Sequence, residues 1–275
     1  MSKTRITDYG DFRHIRFEMR EGGILLATFD RPEVLNAANV RLHREMSELW
    51  AVVDADDEVR VSVVTGAGRA FSAGGDLEMI EEMTRSYDAL VTQWRDAGAI
   101  VEKMLAAEKP IVSAINGVAV GAGLAVGLLA DVSVIGESAR ISDGHVRLGV
   151  AAGDHAAALW PLLCGMARAK WYLMTADFVT GPEAAAMGLV TRCVPDGEVL
   201  DEALRMAERI ASGPELAVRW TKRVMNQWMR QALPIFGESL ALEMLGFVGP
   251  DVNEGVAAIR EKREPRFGAK RVPST

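Results

Sequence analysis

The feature that most constrains the fold is the run Ile111–Asp131, in which the apolar segment IVSAI leads into NGVAVGAGLAVGLLAD (Asn116–Asp131). Ile111, Val112 and Ile115 are β-branched and follow Pro110, the pattern of a buried strand. After Gly117, Gly121 and Gly123, an apolar run from Leu124 to Ala130 reads as a buried helix. A strand, a glycine turn and a helix in that order aim the first N–H groups of the helix into a cleft. Those donors lack intrahelical partners and carry positive partial charge, so they suit an anion or an oxygen that becomes one. Glycine and alanine at the turn let a ligand approach the backbone closely. From this stretch alone, tight helix packing explains the glycines equally well.

A second strand exit separates the two explanations. Val61–Thr65 again reads as a buried strand and is followed by GAGRAFSAGGDL (Gly66–Leu77). Two glycine-rich exits supply two main-chain N–H groups for one oxygen, an oxyanion hole made of backbone. With both in place the chain resembles the crotonase superfamily of enoyl-CoA hydratases and isomerases. The matching segments are RPEVLNA (Arg31–Ala37), AFSAGGDL (Ala70–Leu77), NGVAVGAG (Asn116–Gly123), LLAD (Leu128–Asp131), LG (Leu148–Gly149), TADFVTGPEAAAMGLV (Thr175–Val190) and IREKREPRF (Ile259–Phe267). They fall in family order and span nearly the whole chain.

The resemblance implies an α/β fold: a crotonase-like spiral of ββα units over residues 1–197, then a C-terminal helical region, 198–275, used for trimerisation. It implies a homotrimer or dimer of trimers acting on an acyl-CoA, with the amides of Gly75 and Ala122 holding the thioester carbonyl. Coenzyme A then enters as part of the substrate, with no separate cofactor. Arg31 and Val34 of the RPEVLNA loop, with Ala73, Gly75 and Leu77, would lie along it, and Lys262 would meet its nucleotide end. Glu78 stands where the family usually has a basic residue after the Gly-Asp-hydrophobic unit, removing one phosphate contact.

The acid–base residues depart from the family pattern. The first usual glutamate falls at Ala125 and the second at His145, so the two-glutamate hydratase mechanism does not transfer. What stands near that slot is His145, Asp154 and His155, with Asp143 just upstream. Histidine titrates near neutrality and can deliver or accept a proton at an enolate carbon. Asp154 suits two roles, orienting the histidine or activating water, and capping a helix that begins at Ala156. Glu81, Glu82 and Glu243 would add a carboxylate if they faced the cleft, although Glu81 and Glu82 read as a solvated face. A His/Asp pair at this spacing is also similar to a β-diketone hydrolase branch of the superfamily, which cleaves carbon–carbon bonds without coenzyme A. Loss of both glutamates leaves a third reading, a binding or scaffold protein that keeps the fold.

Composition excludes other classes. With 31 basic and 38 acidic residues the net charge is −7, the wrong sign for a nucleic-acid binder. The start MSKTRITDYG lacks the apolar region of a secretory signal, and no apolar run reaches membrane-spanning length. Cys164 and Cys193 form no motif, which fits a reduced, cytoplasmic protein. No metal motif is present: there is no His-x-x-x-His pair and no cysteine cluster. Gly121-Ala122-Gly123 also lacks the further glycine and acidic partner of a dinucleotide site.

Periodicity supplies the remaining elements. A hairpin is expected from His14–Met19 and Gly23–Phe29, and helices over Val40–Asp54, Leu77–Met83 and Asp88–Leu105, the last burying Leu90, Val91, Trp94, Ile100, Val101 and Leu105. Strands follow at Val132–Ile135, Ala139–Ser142 and Leu189–Val194, and helices at Ala156–Cys164 and Ala167–Met174. From Glu198 onward only helices are expected, at Val199–Ala211, Glu215–Met229, Pro234–Phe247 and Asp251–Lys262.

Overall fold

The computed structural model describes residues 5–6, 9–10 and 12–268, so much of the segment MSKTRITDYG and the outer limits of both expected regions lie outside the described residues. Its strands are β1 (Arg5–Ile6), β2 (Ile15–Arg20), β3 (Ile24–Phe29), β4 (Val61–Gly66), β5 (Ala70–Ser72), β6 (Ile111–Ile115), β7 (Val118–Val120), β8 (Val132–Gly136), β9 (Arg140–Ser142), β10 (Val179–Thr180) and β11 (Arg192–Val194). They form a seven-stranded sheet ordered β1-β2-β3-β4-β6-β8-β11 and a four-stranded sheet ordered β10-β9-β7-β5. β2 and β3 are the expected hairpin, and β3, β4, β6, β8 and β11 run parallel.

The two orders reveal the repeat. β4, β6 and β8 lie in the large sheet, while β5, β7 and β9, their immediate successors, lie side by side in the small one. Each strand pair therefore turns from one sheet into the other, and the units stack as ββα turns of a spiral. Strands buried on both faces need continuous apolar runs, and β4 and β6 (VSVVTG and IVSAI) are buried throughout. Corners between the sheets leave no room for side chains: a Cβ on Gly66 would collide with the backbone of Ala70 and Phe71.

Helix boundaries follow capping chemistry. Asn39 accepts from the Leu42 N–H at 2.9 Å to open the helix Val40–Ala55. Asp76 accepts from Glu78 N–H at 3.1 Å to open Leu77–Arg85, and Ser86 caps Tyr87–Ala106. Thr180 and Glu183 form a reciprocal capping box at Gly181–Met187. Two side chains depart from expectation: Val91 is only partly buried, and Trp94 lies outside the stripe. Trp94, assigned to the buried stripe of Tyr87–Ala106, is 46% exposed, because the stripe runs through Leu90, Gln93, Ala97, Ile100, Val101 and Met104 instead.

After β11 the chain is helical: Val199–Ala211, Glu215–Arg230, Leu233–Phe247 and Val252–Arg260, with a short 3-10 turn at Asp196–Glu198. Val199, Ala203, Ala207 and Ala211 pack on the outer face of the large sheet, against Val61, Val112 and Val134 among others. Glu215–Arg230 is fastened by Lys222, which pairs with Asp131 at 2.8 Å and donates to the Lys109 carbonyl. Leu233–Phe247 packs into the main core through Phe236, Leu240, Met244 and Phe247. Among the described residues no helix is long and apolar enough to cross a membrane.

Candidate active site

The two glycine-rich exits meet at one cavity of about 390 Å³. Gly74 (φ +91°) and Gly121 (φ +51°) both adopt the left-handed backbone that glycine tolerates. Ala38 pairs with the first exit as a single parallel bridge: its N–H donates to the Gly74 carbonyl at 2.7 Å and its carbonyl accepts from Asp76 N–H at 3.0 Å. That bridge uses the neighbours of Gly75 and leaves the Gly75 N–H without a hydrogen-bond partner among the described residues. Ala122 is the second residue of the helix Gly121–Leu129, ahead of its first i→i−4 bond, and no side chain caps that end. Both residues line the cavity. A Cβ built on Gly121 would lie 3.7 Å from Gly74 Cα and 3.7 Å from Asp154 Oδ2, so the exits and that carboxylate converge.

Against this backbone sits a buried charged cluster. His145 opens the four-residue helix His145–Leu148, and its Nδ1 lies 3.0 Å from Asp143 Oδ2. Its Nε2 lies 3.4 Å from Asp154 Oδ2 and 3.4 Å from Glu243 Oε1. All four side chains are buried. Burial opposes charge on His145, but Asp143, Glu243 and Asp154 together outweigh it and lift its pKa well above the usual 6.5. Burial likewise works against the charge of Asp143, yet His145 beside it keeps that carboxyl below its ordinary range. Burial, with Asp143 adding to it, raises Asp154, and burial with the Asp154 charge pushes Glu243 up to about 7, in both cases against the pull of His145. The cluster therefore favours the charged form of His145 and of Asp143, and shifts Asp154 and Glu243 towards their neutral forms.

Gly153 allows this arrangement. A Cβ there would run into the Glu243 carboxylate and the Ser239 carbonyl, so only glycine lets the Leu233–Phe247 helix bring Glu243 in. The cluster also supplies donors of the kind a divalent cation takes: one atom each from His145, Asp154 and Glu243 lies within 4.8 Å of the others. Sequence spacing gave no hint of that grouping, since Glu243 arrives from a distant helix. Their mutual ion pairing accounts for the grouping without a cation.

Of the residues singled out in the sequence, Gly75, Ala122, His145, Asp154, Val34, Ala73 and Leu77 line this cavity. Asp154 does not cap the following helix; His155 occupies the cap position of Ala156–Cys164 with no capping bond. His155 itself faces away, accepting from Trp160 Nε1 at 3.3 Å, with burial pushing its pKa down to about 4. Arg31 lines a neighbouring groove and is held by Asp76 at 3.3 Å and by the Ala37 carbonyl. Lys262 stands exposed in the turn after Val252–Arg260 and does not line the cavity. Glu81 is taken up by Arg85 and Arg260.

Sequence reasoning undervalued two residues. Glu243 lies on the same stripe of its helix as Phe236, Leu240 and Phe247, and a carboxylate on an apolar stripe was the signal. His43 belongs to no motif in the sequence, yet it is buried on the stripe of Leu42, Met46 and Trp50 and lines the cavity.

The sequence model of the family described as enoyl-CoA hydratase/isomerase matches residues 19–270. A probable enoyl-CoA hydratase of Rhodobacter capsulatus is 33% identical over 261 residues, which cover 93% of this chain and 98% of that protein. The crotonyl-CoA hydratase of Syntrophomonas wolfei is 30% identical over 260 residues, covering 91% and 96%. Among solved structures, an enoyl-CoA hydratase/isomerase from Mycobacterium paratuberculosis superposes with a TM-score of 0.86 at 34% identity, covering 90% of this chain and 99% of that one.

Proposed function

Because the chain belongs to the enoyl-CoA hydratase/isomerase family, we propose that it is an enzyme that stabilises the enolate of an acyl-CoA thioester between the Gly75 and Ala122 amides and moves protons with His145. The observation that carries this reading is one cavity lined by two backbone donors and by His145 set among three buried carboxyls. The thioester oxygen accepts from both amides and gains negative charge as the enolate forms, which fixed dipoles stabilise without reorganising. A carboxylate of the Asp154–Glu243 pair takes a proton from water as its oxygen bonds to the β-carbon. His145 Nε2–H then delivers a proton to the α-carbon. Asp143 holds the other ring nitrogen and so fixes the ring's orientation.

Val34, Ala73 and Leu77 supply an apolar wall for the pantetheine arm. Arg31 and Lys262 are the proposed contacts for the nucleotide phosphates, Lys262 from a neighbouring protomer, since it does not line its own cavity. A trimer, or a dimer of trimers, is supported by large apolar side chains on the outside of a single chain, including Trp171, Trp220, Val224, Trp228 and Leu245. We assign that role to the C-terminal helices beyond residue 198. The free thiols of Cys164 and Cys193 fit a cytoplasmic, reducing setting.

A second reading, hydrolysis of a β-diketone carbon–carbon bond, draws support from the groove beside the cavity. Arg31, Arg41 and Arg44 are all neutralised by carboxylates there, and Glu78 lines it as well. Such a groove favours a substrate without phosphates. The same machinery would then activate water for attack on a ketone, with the backbone pair holding the enolate leaving group.

Calorimetric titration with coenzyme A and with crotonyl-CoA, combined with turnover followed at the thioester chromophore, tests the proposal. Binding is expected, with turnover that vanishes in His145→Ala. No binding of either ligand, with cleavage of cyclohexanedione instead, would overturn it in favour of the second reading.

A further inference from the structure

The two glycine-rich exits are joined by a buried side chain that the proton-transfer scheme leaves unused. Ser72 ends β5, whose register with β7 sets it opposite Ala119, just before the second exit turns at Gly121. It is fully buried, and its Oγ donates to the Asn36 carbonyl at 2.8 Å and accepts from the Gly74 N–H at 3.4 Å. Asn36 is a fixed anchor. It is fully buried itself, and its Nδ2 donates to the Ala67 carbonyl at 2.9 Å and to the Ala70 carbonyl at 2.8 Å.

On its other side Ser72 meets the second exit. A Cβ built on Gly123 would fall 2.2 Å from Ser72 Cβ and 2.4 Å from its Oγ, so the serine side chain lies directly on the Gly123 backbone. Gly123 follows Ala122 in the first turn of the helix Gly121–Leu129, and Gly74 precedes Gly75. One side chain is thus hydrogen-bonded to the residue beside one proposed donor and packed on the residue beside the other. A hydroxyl suits both tasks, because it donates and accepts at once in a volume that fits against glycine. Alanine at 72 would keep the packing and leave the Gly74 N–H and the Asn36 carbonyl without that partner.

We propose that Ser72 is a positioning residue, a spacer that sets the separation and direction of the Gly75 and Ala122 amides. The inference rests on the oxyanion reading given above and adds the part that fixes its geometry. Preorganised donors work only where the charge develops, and a misplacement of about 1 Å costs about 10²-fold in rate. Backbone donors have no rotamers with which to readjust, so the neighbours that carry them must hold their spacing.

The test reads the carbonyl stretch of bound butyryl-CoA, isotope-labelled at the thioester carbonyl, by infrared difference spectroscopy. That frequency falls as hydrogen bonds polarise the carbonyl, so the wild type should lower it relative to the free ligand. Ser72→Ala, which deletes only the hydroxyl, and Gly123→Ala, which forces the exits apart, should each lose much of that shift. Each should also slow α-deuteration in heavy water by on the order of 10–10²-fold, with a smaller change in affinity. Thermal melts establish which variants fold, and either one that does carries the test. A folded variant with the wild-type shift and exchange rate overturns the spacer. Failure of both to fold overturns it too, since Ser72 would then serve the fold alone. The oxyanion reading is judged separately, on the wild type. If butyryl-CoA shows no shift there, the variants are compared with carbonyl-labelled cyclohexanedione, and no shift with either ligand overturns the hole and the spacer with it.

Discussion

Replacing Glu243 with glutamine removes a carboxylate from the buried cluster while keeping its shape. In the folded protein Glu243 is pushed up from 4.5 to about 7, chiefly by burial and by the charge of Asp154. An acid raised in this way keeps its proton over a pH range in which the unfolded chain has released it. Its contribution to stability is therefore fully present below the unfolded value of 4.5 and is lost as pH rises towards 7. Between roughly pH 5 and pH 8 about two pK units are traversed, worth about 2–3 kcal/mol. Losing the Glu243 charge also lowers the His145 pKa, which flattens the variant further, so both effects have one sign. Urea unfolding followed by tryptophan fluorescence, at fixed protomer concentration, measures this directly. The wild type should lose about 2–3 kcal/mol more than Glu243→Gln between those two pH values. Parallel stability profiles would refute the reasoning, since they would mean Glu243 titrates alike in both states.

Three further outcomes are expected. Ala122→Pro deletes one proposed oxyanion donor at a first-turn position where helices accept proline, so turnover should fall by about 10²–10³-fold with helicity unchanged by circular dichroism. Gly153→Ala should displace Glu243 and the Ser239 carbonyl, cost about 1–3 kcal/mol in denaturant titrations and lower turnover with it. Trp220→Glu combined with Trp228→Glu, both on the exposed face of Glu215–Arg230, should convert an oligomer to monomers by light scattering; an unchanged mass would remove those helices from the interface.

The long elements were legible because their periodicity is strong and their caps are local. Ala156–Cys164 and Val199–Ala211 fall where the sequence puts them to the residue. The strands β5, β7 and β10 escaped because two or three residues show no alternation, and they exist only by pairing across the small sheet. The same division holds for the site. Gly75, Ala122, His145 and Asp154 could be placed through motifs that carry their own backbone geometry. Glu243 and His43 could not, because each reaches the cavity through tertiary packing of a helix whose local sequence carries no motif. Asp154 shows how close such choices are: Gly153 before it and three alanines after it look like a cap, yet its carboxylate turns to His145.

The central claim, that this cavity makes and protonates a thioester enolate, is tested most directly by proton exchange. Butyryl-CoA incubated with the enzyme in heavy water should gain deuterium at its α-carbon, observed by NMR, and His145→Ala should slow that exchange by about 10²–10⁴-fold. Tight binding of butyryl-CoA with no α-deuteration, or exchange that is undiminished in His145→Ala, would contradict the account.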